Sequence, residues 1–127
     1  ATILEINTET DFAAKDSSFL SFAEKVKTYI TENIIIDPGI GFGKDHLQNI
    51  DLISNITVFH SLGFQIMLGV SRKRFIDSIS KDAIPKNRVG GTISATLYAM
   101  SHGVRIHRVH DVRDVNQAAM IYDQMMN

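Results

Sequence analysis

The chain has 127 residues, 44% of them hydrophobic, and a formal net charge of −1. This length and composition suffice for one compact domain with a hydrophobic core, and the near-neutral charge argues against nucleic acid or an anionic membrane as a partner. The absence of cysteine excludes disulfides and thiolate metal sites. No run approaches the roughly 18 apolar residues that span a bilayer, and residues 1–7 lack the features of a signal sequence, so we expect a soluble, cytoplasmic protein.

Strands and helices are predicted to alternate along the chain, beginning with two strand–helix units. Residues 2–6 are rich in β-branched side chains and predict a strand, and the apolar spacing that follows predicts an amphipathic helix over 17–31. The run of isoleucines at 34–36 predicts a second strand, buried on both faces. A helix is then predicted up to about residue 61, with Asp45 as its N-cap.

The rest of the chain continues this alternation. The further predicted elements are a strand at 64–70, a short helix from residue 75, a loop at 81–87, a helix at 88–101, a strand at 104–109 and a helix from 112. Four βα units predict an α/β domain over 1–127 with a parallel sheet and right-handed crossovers. Two architectures fit this order, half of an eight-stranded TIM barrel or a small open doubly wound sheet.

Polar residues follow three of the predicted strands, at Asp37, at Ser71-Arg72-Lys73 and at Arg108-Val109-His110. The carboxyl ends of parallel strands share one edge of a sheet, so we expect these groups to converge there. An ionised Asp37 can accept two parallel N–H donors from an aminopyrimidine-like ring. Arg108 can stack on a flat ring or hold a phosphate, and His110 is expected on the same side. The pattern therefore indicates a site for a flat ligand with an anionic group.

Taken singly, these residues also have simpler interpretations. Asp37 precedes Pro38 and could be a turn residue, and residues 71–74 could be a solvated charge run. The histidines between 102 and 110 do not have a spacing that specifies a zinc site, so no metal is predicted. The Gly-Phe-Gly-Lys sequence at 41–44 lacks the spacing of a Walker loop.

Taken together, three motifs carry a resemblance. They are Ile35-Ile36-Asp37-Pro38-Gly39-Ile40-Gly41-Phe42-Gly43-Lys44, Gly69-Val70-Ser71-Arg72-Lys73 and Arg108-Val109-His110-Asp111. Residues 27–127 resemble the C-terminal part of dihydropteroate synthase, a transferase of folate biosynthesis. The resemblance implies an eight-stranded barrel, of which this segment would supply the last three βα units.

The resemblance also implies roles for individual residues. Asp37 and Lys73 would bind a pterin ring, in a pocket lined by Gly69 and, by its place in the same motif, Ser71. Arg108 would stack on the pterin and, with His110, hold its pyrophosphate. Phe42 and the start of the helix after Lys73 would lie near p-aminobenzoate. The family's upstream asparagine, which helps bind magnesium and pyrophosphate, has no counterpart in the matching segment, so no cofactor is expected in this chain and magnesium only in a complete synthase.

Residues 1–26 suggest a different relationship. Leu4 to Asp16 is similar to a segment of elongation factor Ts, and Asp11 and Phe12 match that family's contact motif for elongation factor Tu. These likenesses predict a chimera, natural or engineered.

The leading interpretation is a dihydropteroate synthase region that keeps its pterin-binding and anion-binding residues but lacks much of the catalytic apparatus. A non-enzymatic chimeric scaffold and a segment that binds elongation factor Tu are the alternatives. Because half a barrel leaves strand edges and apolar faces uncovered, a homo-oligomer is also expected.

Overall fold

The computed structural model describes residues 17–126, apart from the side chains of Thr31 and Glu32. The predicted strand at 2–6, and Asp11 and Phe12, lie outside the described residues. The helices are α1 (Ser17–Asn33), α2 (His46–Ser54), α3 (Arg74–Ser80), α4 (Val89–Ser101) and α5 (Val112–Met126), and the strands are β1 (Ile35–Ile36), β2 (Gln65–Leu68) and β3 (Ile106–His107). Two 3₁₀ segments, Ile56–Leu62 and Pro85–Arg88, precede β2 and α4. No helix within 17–126 is long and apolar enough to cross a membrane.

The three strands form a parallel sheet in the order β1-β2-β3. Ile36 pairs with Ile66, and Leu68 pairs with His107. Helices connect each strand to the next, so the predicted α/β class and parallel sheet are confirmed. Within the described residues the sheet is open.

The helix predicted from Asp45 to about residue 61 is shorter than expected. Its start is confirmed, because Asp45 and Gln48 form a reciprocal capping box. Its end is at Ser54, where the side chain of Asn55 donates a hydrogen bond to the carbonyl of Asp51, 2.9 Å away. The β-branched residues at 56–58 then continue as a 3₁₀ segment, in keeping with their lower helix propensity.

The core lies between β2 and the helices that cover it. Its buried members are Ile40, Ile53, Ile56, Ile66, Leu68, Val70, Phe75, Ile76, Ala99 and Val104. Helices α3 and α4 approach closely at Gly91, where an added Cβ would lie 2.4 Å from Cγ2 of Ile76. Tight packing therefore explains Gly91 but not Gly90, whose Cβ would meet nothing within 4 Å.

The prediction that β1 is buried on both faces is wrong. Ile34 is 42% exposed and Ile35 is 51% exposed. The reason is that β1 pairs only with β2 in the described sheet and forms one of its edges. The apolar run is buried instead in the central strand, where Ile66 and Leu68 are 3% and 0% exposed.

The buried position of His107 leads us to expect that the folded protein loses stability in mild acid. Its Nε2 lies 3.1 Å from the Val104 carbonyl, and its Nδ1 is buried without a hydrogen-bond partner in the described structure. Burial lowers the pKa of His107, only partly opposed by the Val104 hydrogen bond. The imidazole of His107 therefore binds a proton more tightly in the unfolded chain than in the folded protein. The contribution of neutral His107 to the free energy of unfolding is complete above pH about 6.5, and it is lost as the pH falls through the lower folded-state pKa.

Urea titrations at several pH values test this expectation. His107→Gln should reduce the loss of unfolding free energy on acidification, because it removes the buried group whose pKa is lowered by folding. An identical pH dependence in wild type and His107→Gln would contradict it.

Candidate functional site

The loops after β1, β2 and β3 enclose a cavity of about 280 Å³ at the carboxyl edge of the sheet. Its walls are Phe42, Gly69, Ser71, Lys73, Arg108, Val109 and His110. Asp37 adjoins it, with Oδ2 3.8 Å from Nη2 of Arg108. Apart from Arg72, the structure thus brings the residues singled out at the three strand ends to one place, as the parallel topology predicts.

A second cavity, of about 340 Å³, lies between α2, α3 and α4. We call it the helix groove. Its lining is mainly apolar, including Ile50, Phe75 and Ile79, and contains no charged side chain. The carboxyl-edge cavity is the better candidate because charged and hydrogen-bonding groups meet there.

The loop after β1 is held in shape by side chains at its own ends. Asp37 Oδ1 accepts a 2.9 Å hydrogen bond from the amide of Gly39, and Lys44 Nζ donates to the Gly39 carbonyl at 3.0 Å. Oδ1 of the buried Asn49, on α2, accepts a hydrogen bond of 2.6 Å from the amide of Gly41. Asp37 is therefore a turn residue, as the simpler interpretation held, but its second carboxylate oxygen remains directed to the Arg108 side.

Lys73 crosses this loop and ends over Phe42. Its Nζ lies 4.0 Å from the centroid of the Phe42 ring, a cation–π contact. Gly41 allows the crossing, because it has a φ of +82° and an added Cβ would lie 2.8 Å from Cδ of Lys73. Burial lowers the pKa of Lys73, as does the positive charge of Arg108, and the negative charge of Asp37 opposes them.

Arg108 lies over the end of the central strand. Its amide donates to the carbonyl of Leu68 at 3.0 Å, which extends the pairing of β2 and β3 by one residue. A Cβ at Gly69 would lie 3.2 Å from Nη2 of Arg108, so glycine leaves room for the guanidinium there. The side chain of Arg108 is 59% exposed and can meet a ligand from solvent.

Ser71 fixes His110 beside these cations. The buried hydroxyl of Ser71 accepts a hydrogen bond of 3.1 Å from the backbone amide of His110, and it lies 2.9 Å from Nδ1 of the His110 ring. The backbone and the ring of His110 are both anchored to the loop after β2. Arg108 and His110 therefore stand on the same side of the site, as predicted.

Arg72 does not contribute a free cation to the cavity. It forms a two-pronged ion pair with Asp111, Nε to Oδ2 at 3.0 Å and Nη2 to Oδ1. The hydrogen bond from Arg72 is the main cause that lowers the pKa of Asp111 and raises that of Arg72. This pair joins the loops after β2 and β3, so it supports the site without lining it.

Three supporting residues were not singled out from the sequence: Asn49, Arg88 and Thr92. Each is a buried polar side chain that bonds to a backbone group of a site loop. The burial of Asn49 could have been inferred from the sequence, because Asn49 shares a helix face with the apolar Ile53. The burial of Arg88 and Thr92 could not be inferred in this way, because their partner is 16 to 20 residues away.

No group of three or more histidine, aspartate or glutamate side chains in the described part of the chain could hold a metal ion. The histidines at 102, 107 and 110 bond instead to nearby carbonyl or hydroxyl groups. A metal site built from three such side chains is therefore not found among residues 17–126, and no proposed step involves magnesium.

The fold and the site define an α/β protein that resembles part of a TIM barrel, with a basic cavity at the carboxyl ends of its strands. The family model described as "Pterin binding enzyme" matches residues 4–110. The chain belongs to this family of pterin binding enzymes.

The family's curated members similar to this chain include dihydropteroate synthases. The chain is 38% identical over 96 residues to that of Bacillus subtilis (strain 168) and 42% identical over 96 residues to that of Synechocystis. Each alignment covers 76% of this chain and 33% of the relative. The chain thus spans about a third of the length of these relatives.

Solved structures show the same relationship. A dihydropteroate synthase from Thermus thermophilus, in complex with 6HMPPP, superposes with a TM-score of 0.74 at 30% identity, over 95% of this chain and 48% of that one. The dihydropteroate synthase from Xanthomonas albilineans, in complex with 7,8-dihydropteroate, superposes with a TM-score of 0.73 at 29% identity. This match covers 84% of this chain and 43% of that one. The described sheet therefore matches part of the synthase barrel.

These findings do not support the predicted chimera. The family match begins at residue 4 and so includes most of the segment 1–26 for which a likeness to elongation factor Ts was predicted. The same match extends from residue 4 to residue 110 and so reaches into both parts of the proposed chimera.

Proposed function

We propose that this chain binds a pterin ring and a phosphate-like anion at the carboxyl edge of its sheet, as a dihydropteroate synthase-like region. The observation that carries this proposal is the meeting of Asp37, Lys73 and Arg108 around one cavity. Both structural relatives described above are complexes with pterin ligands, which supports the same class of ligand here.

The ring would be held by complementary hydrogen bonds and by stacking. A pterin presents an amino group beside a ring N–H, and the Asp37 carboxylate can accept both. Lys73, whose side chain passes Gly41, offers donors to the ring's carbonyl and nitrogen acceptors. The planar guanidinium of Arg108, over Gly69, would cover a face of the ring.

The anion would lie between Arg108 and His110. Arg108 can donate two parallel N–H groups to a phosphate, and Ser71 fixes the ring of His110 beside it. The attraction is mainly electrostatic and is exposed to solvent, so it should weaken as salt rises.

In the complete reaction that the family resemblance implies, the amine nitrogen of p-aminobenzoate bonds to the pterin methylene carbon while the carbon–oxygen bond to pyrophosphate breaks. The amine loses a proton and the pyrophosphate leaves with the bonding electron pair. Arg108 and His110 would stabilise the charge that develops on that leaving group, and Phe42 and the start of α3 would border the aromatic amine. We propose that the 127 residues alone bind the pterin weakly and synthesise little, because they span about a third of the synthases they match.

Calorimetry with 6-hydroxymethylpterin tests the pterin site. Asp37→Asn keeps the acceptor for the Gly39 amide but removes the ionised carboxylate, so it separates ligand binding from loop shape. Asp37→Asn and Lys73→Ala should each lower affinity by about tenfold or more, which corresponds to ~1.4 kcal/mol. Asp114→Ala and Lys86→Ala, at exposed positions away from the cavity, serve as controls.

Unchanged affinity in both site variants would refute the pterin site. A turnover assay with the pterin pyrophosphate and p-aminobenzoate, run beside it, distinguishes a working enzyme from a binding region or an inert scaffold.

We also propose that the chain self-associates. Ile35 on the edge strand is 51% exposed, and Met120, Ile121 and Met125 on α5 are 61%, 59% and 71% exposed. An open strand edge and an apolar helix face both favour burial against another chain. Light scattering at micromolar concentration should show a dimer or larger species, and a cooperatively melting monomer of 14.2 kDa would contradict this.

A further inference from the structure

Arg88 is a buried cation that does not line the cavity. It is 6% exposed, at the end of the 3₁₀ segment before α4. Its Nε donates to the carbonyl of Asp82 at 2.9 Å, its Nη2 donates to that of Ala83 at 2.6 Å, and Nη2 also lies 3.4 Å from Asp77. These contacts satisfy a charge that would otherwise be costly to bury.

One further contact of Arg88 reaches the candidate site. Its Nη1 donates to the carbonyl oxygen of Arg72 at 3.1 Å. That oxygen belongs to the peptide that joins Arg72 to Lys73. The guanidinium therefore fixes the orientation of the peptide from which Lys73 starts.

The same turn is held from its other side. Arg72 has a φ of +58°, in the left-handed region that side chains disfavour. Its amide donates to Oγ1 of Thr92 at 3.1 Å, and that hydroxyl donates to the carbonyl of Arg88 at 3.0 Å. Arg88 thus binds the carbonyl of Arg72 and Thr92 binds its amide. Together these two hydrogen bonds hold Arg72 in its strained backbone conformation.

We infer that Arg88 is a positioning residue for ligand binding, which acts through the Arg72–Lys73 peptide. With that peptide fixed, Lys73 crosses Gly41 and reaches Phe42. The inference rests on the proposed function, since it assigns Arg88 to the site that would bind a pterin. Lysine cannot replace it, because one ammonium cannot reproduce the fork that reaches three carbonyls.

The first arm of the test needs no ligand. Amide hydrogen exchange measures how often the amide of Arg72 is released from Thr92. In Arg88→Lys the protection of this amide should fall by about tenfold or more, while the amide of Arg108, bonded to Leu68 in the sheet, keeps its protection. Arg105→Lys makes the same substitution at an exposed position and should change neither amide.

The second arm measures calorimetric affinity for 6-hydroxymethylpterin under conditions in which every variant is folded. Arg88→Lys should bind about tenfold more weakly than wild type, and Arg105→Lys should bind as wild type does. A folded Arg88→Lys with wild-type protection at Arg72 and wild-type affinity would overturn the inference, and so would lost affinity with unchanged protection. Absence of binding by wild type would refute the proposed function, while the exchange arm would still decide whether Arg88 holds the turn.

If Arg88→Lys does not fold, hydrogen exchange in the wild-type protein tests whether Arg88 holds the turn at Arg72. The Nε–H of Arg88 and the amide of Arg72 should then open together, with the same dependence on denaturant. Rapid exchange at Arg72 while the Arg88 Nε–H stays protected would overturn the inference.

Discussion

Leu68→Ala is expected to lower the free energy of unfolding by about 2–5 kcal/mol. Leu68 is fully buried in the central strand, and the substitution removes apolar contacts and leaves a cavity that the sheet can fill only partly. Domains of this kind are stable by roughly 5–15 kcal/mol in total, so a loss of this size is a substantial share of the stability. Chemical denaturation followed by far-UV circular dichroism provides the measurement.

Leu47→Ala is the matched control, because the same side chain is 67% exposed on α2. It should change stability by less than about 0.5 kcal/mol. If Leu68→Ala costs no more than Leu47→Ala, the central strand is not where the core lies. The result also bears on the site, since the carbonyl of Leu68 anchors the amide of Arg108.

Arg108→Ala is expected to lower affinity for inorganic pyrophosphate by about tenfold or more. The substitution removes the planar fork beside His110, and Arg108→Lys should recover part of the affinity because it restores the charge but not the paired donors. Calorimetry across a series of salt concentrations should show a steep salt dependence in wild type and a shallower one in Arg108→Ala.

Arg113→Ala is the control for general charge, because Arg113 is exposed on α5 and does not line the cavity. It should leave pyrophosphate affinity and its salt dependence close to those of wild type. Equal losses in Arg113→Ala and Arg108→Ala would mean that pyrophosphate responds to overall charge, without a defined site.

Local signals in the sequence were enough to predict most of the fold. Helical spacing located α1, α4 and α5 to within about two residues, in line with the usual uncertainty of helix ends. Asp45 marked the start of α2, and Gly103, with a φ of +85°, follows the end of α4. Side-chain capping and left-handed glycine act over a few residues, so they can be recognised in the letters alone.

Features set by neighbours distant in the chain were not predictable. The isoleucines at 34–36 have the pattern of a buried strand, but their exposure depends on which strands pair with β1. The break at Asn55 depends on a competing side-chain hydrogen bond that periodicity does not include.

The candidate site divides in the same way. The charged residues that line it could be proposed from their places after three strands, because parallel topology alone brings strand ends together. The residues that hold those loops could not, because the bonds of Arg72 to Arg88 and Thr92 depend on how α4 packs against the turn. Arg72 itself belonged to a basic run in the sequence, but in the structure its charge is paired with Asp111.

The most direct test of the central claim is a titration of the ¹⁵N-labelled chain with 6-hydroxymethylpterin, followed by amide chemical shifts. We expect saturable shifts at the cavity, around Gly39, Gly69, Lys73 and Arg108, with little change at residues 112–126. Shifts confined to the helix groove around Ile50 and Ile79, or no shifts at ligand concentrations of about 1 mM, where binding of ~4 kcal/mol would be detected, would contradict a pterin site at the carboxyl edge of the sheet.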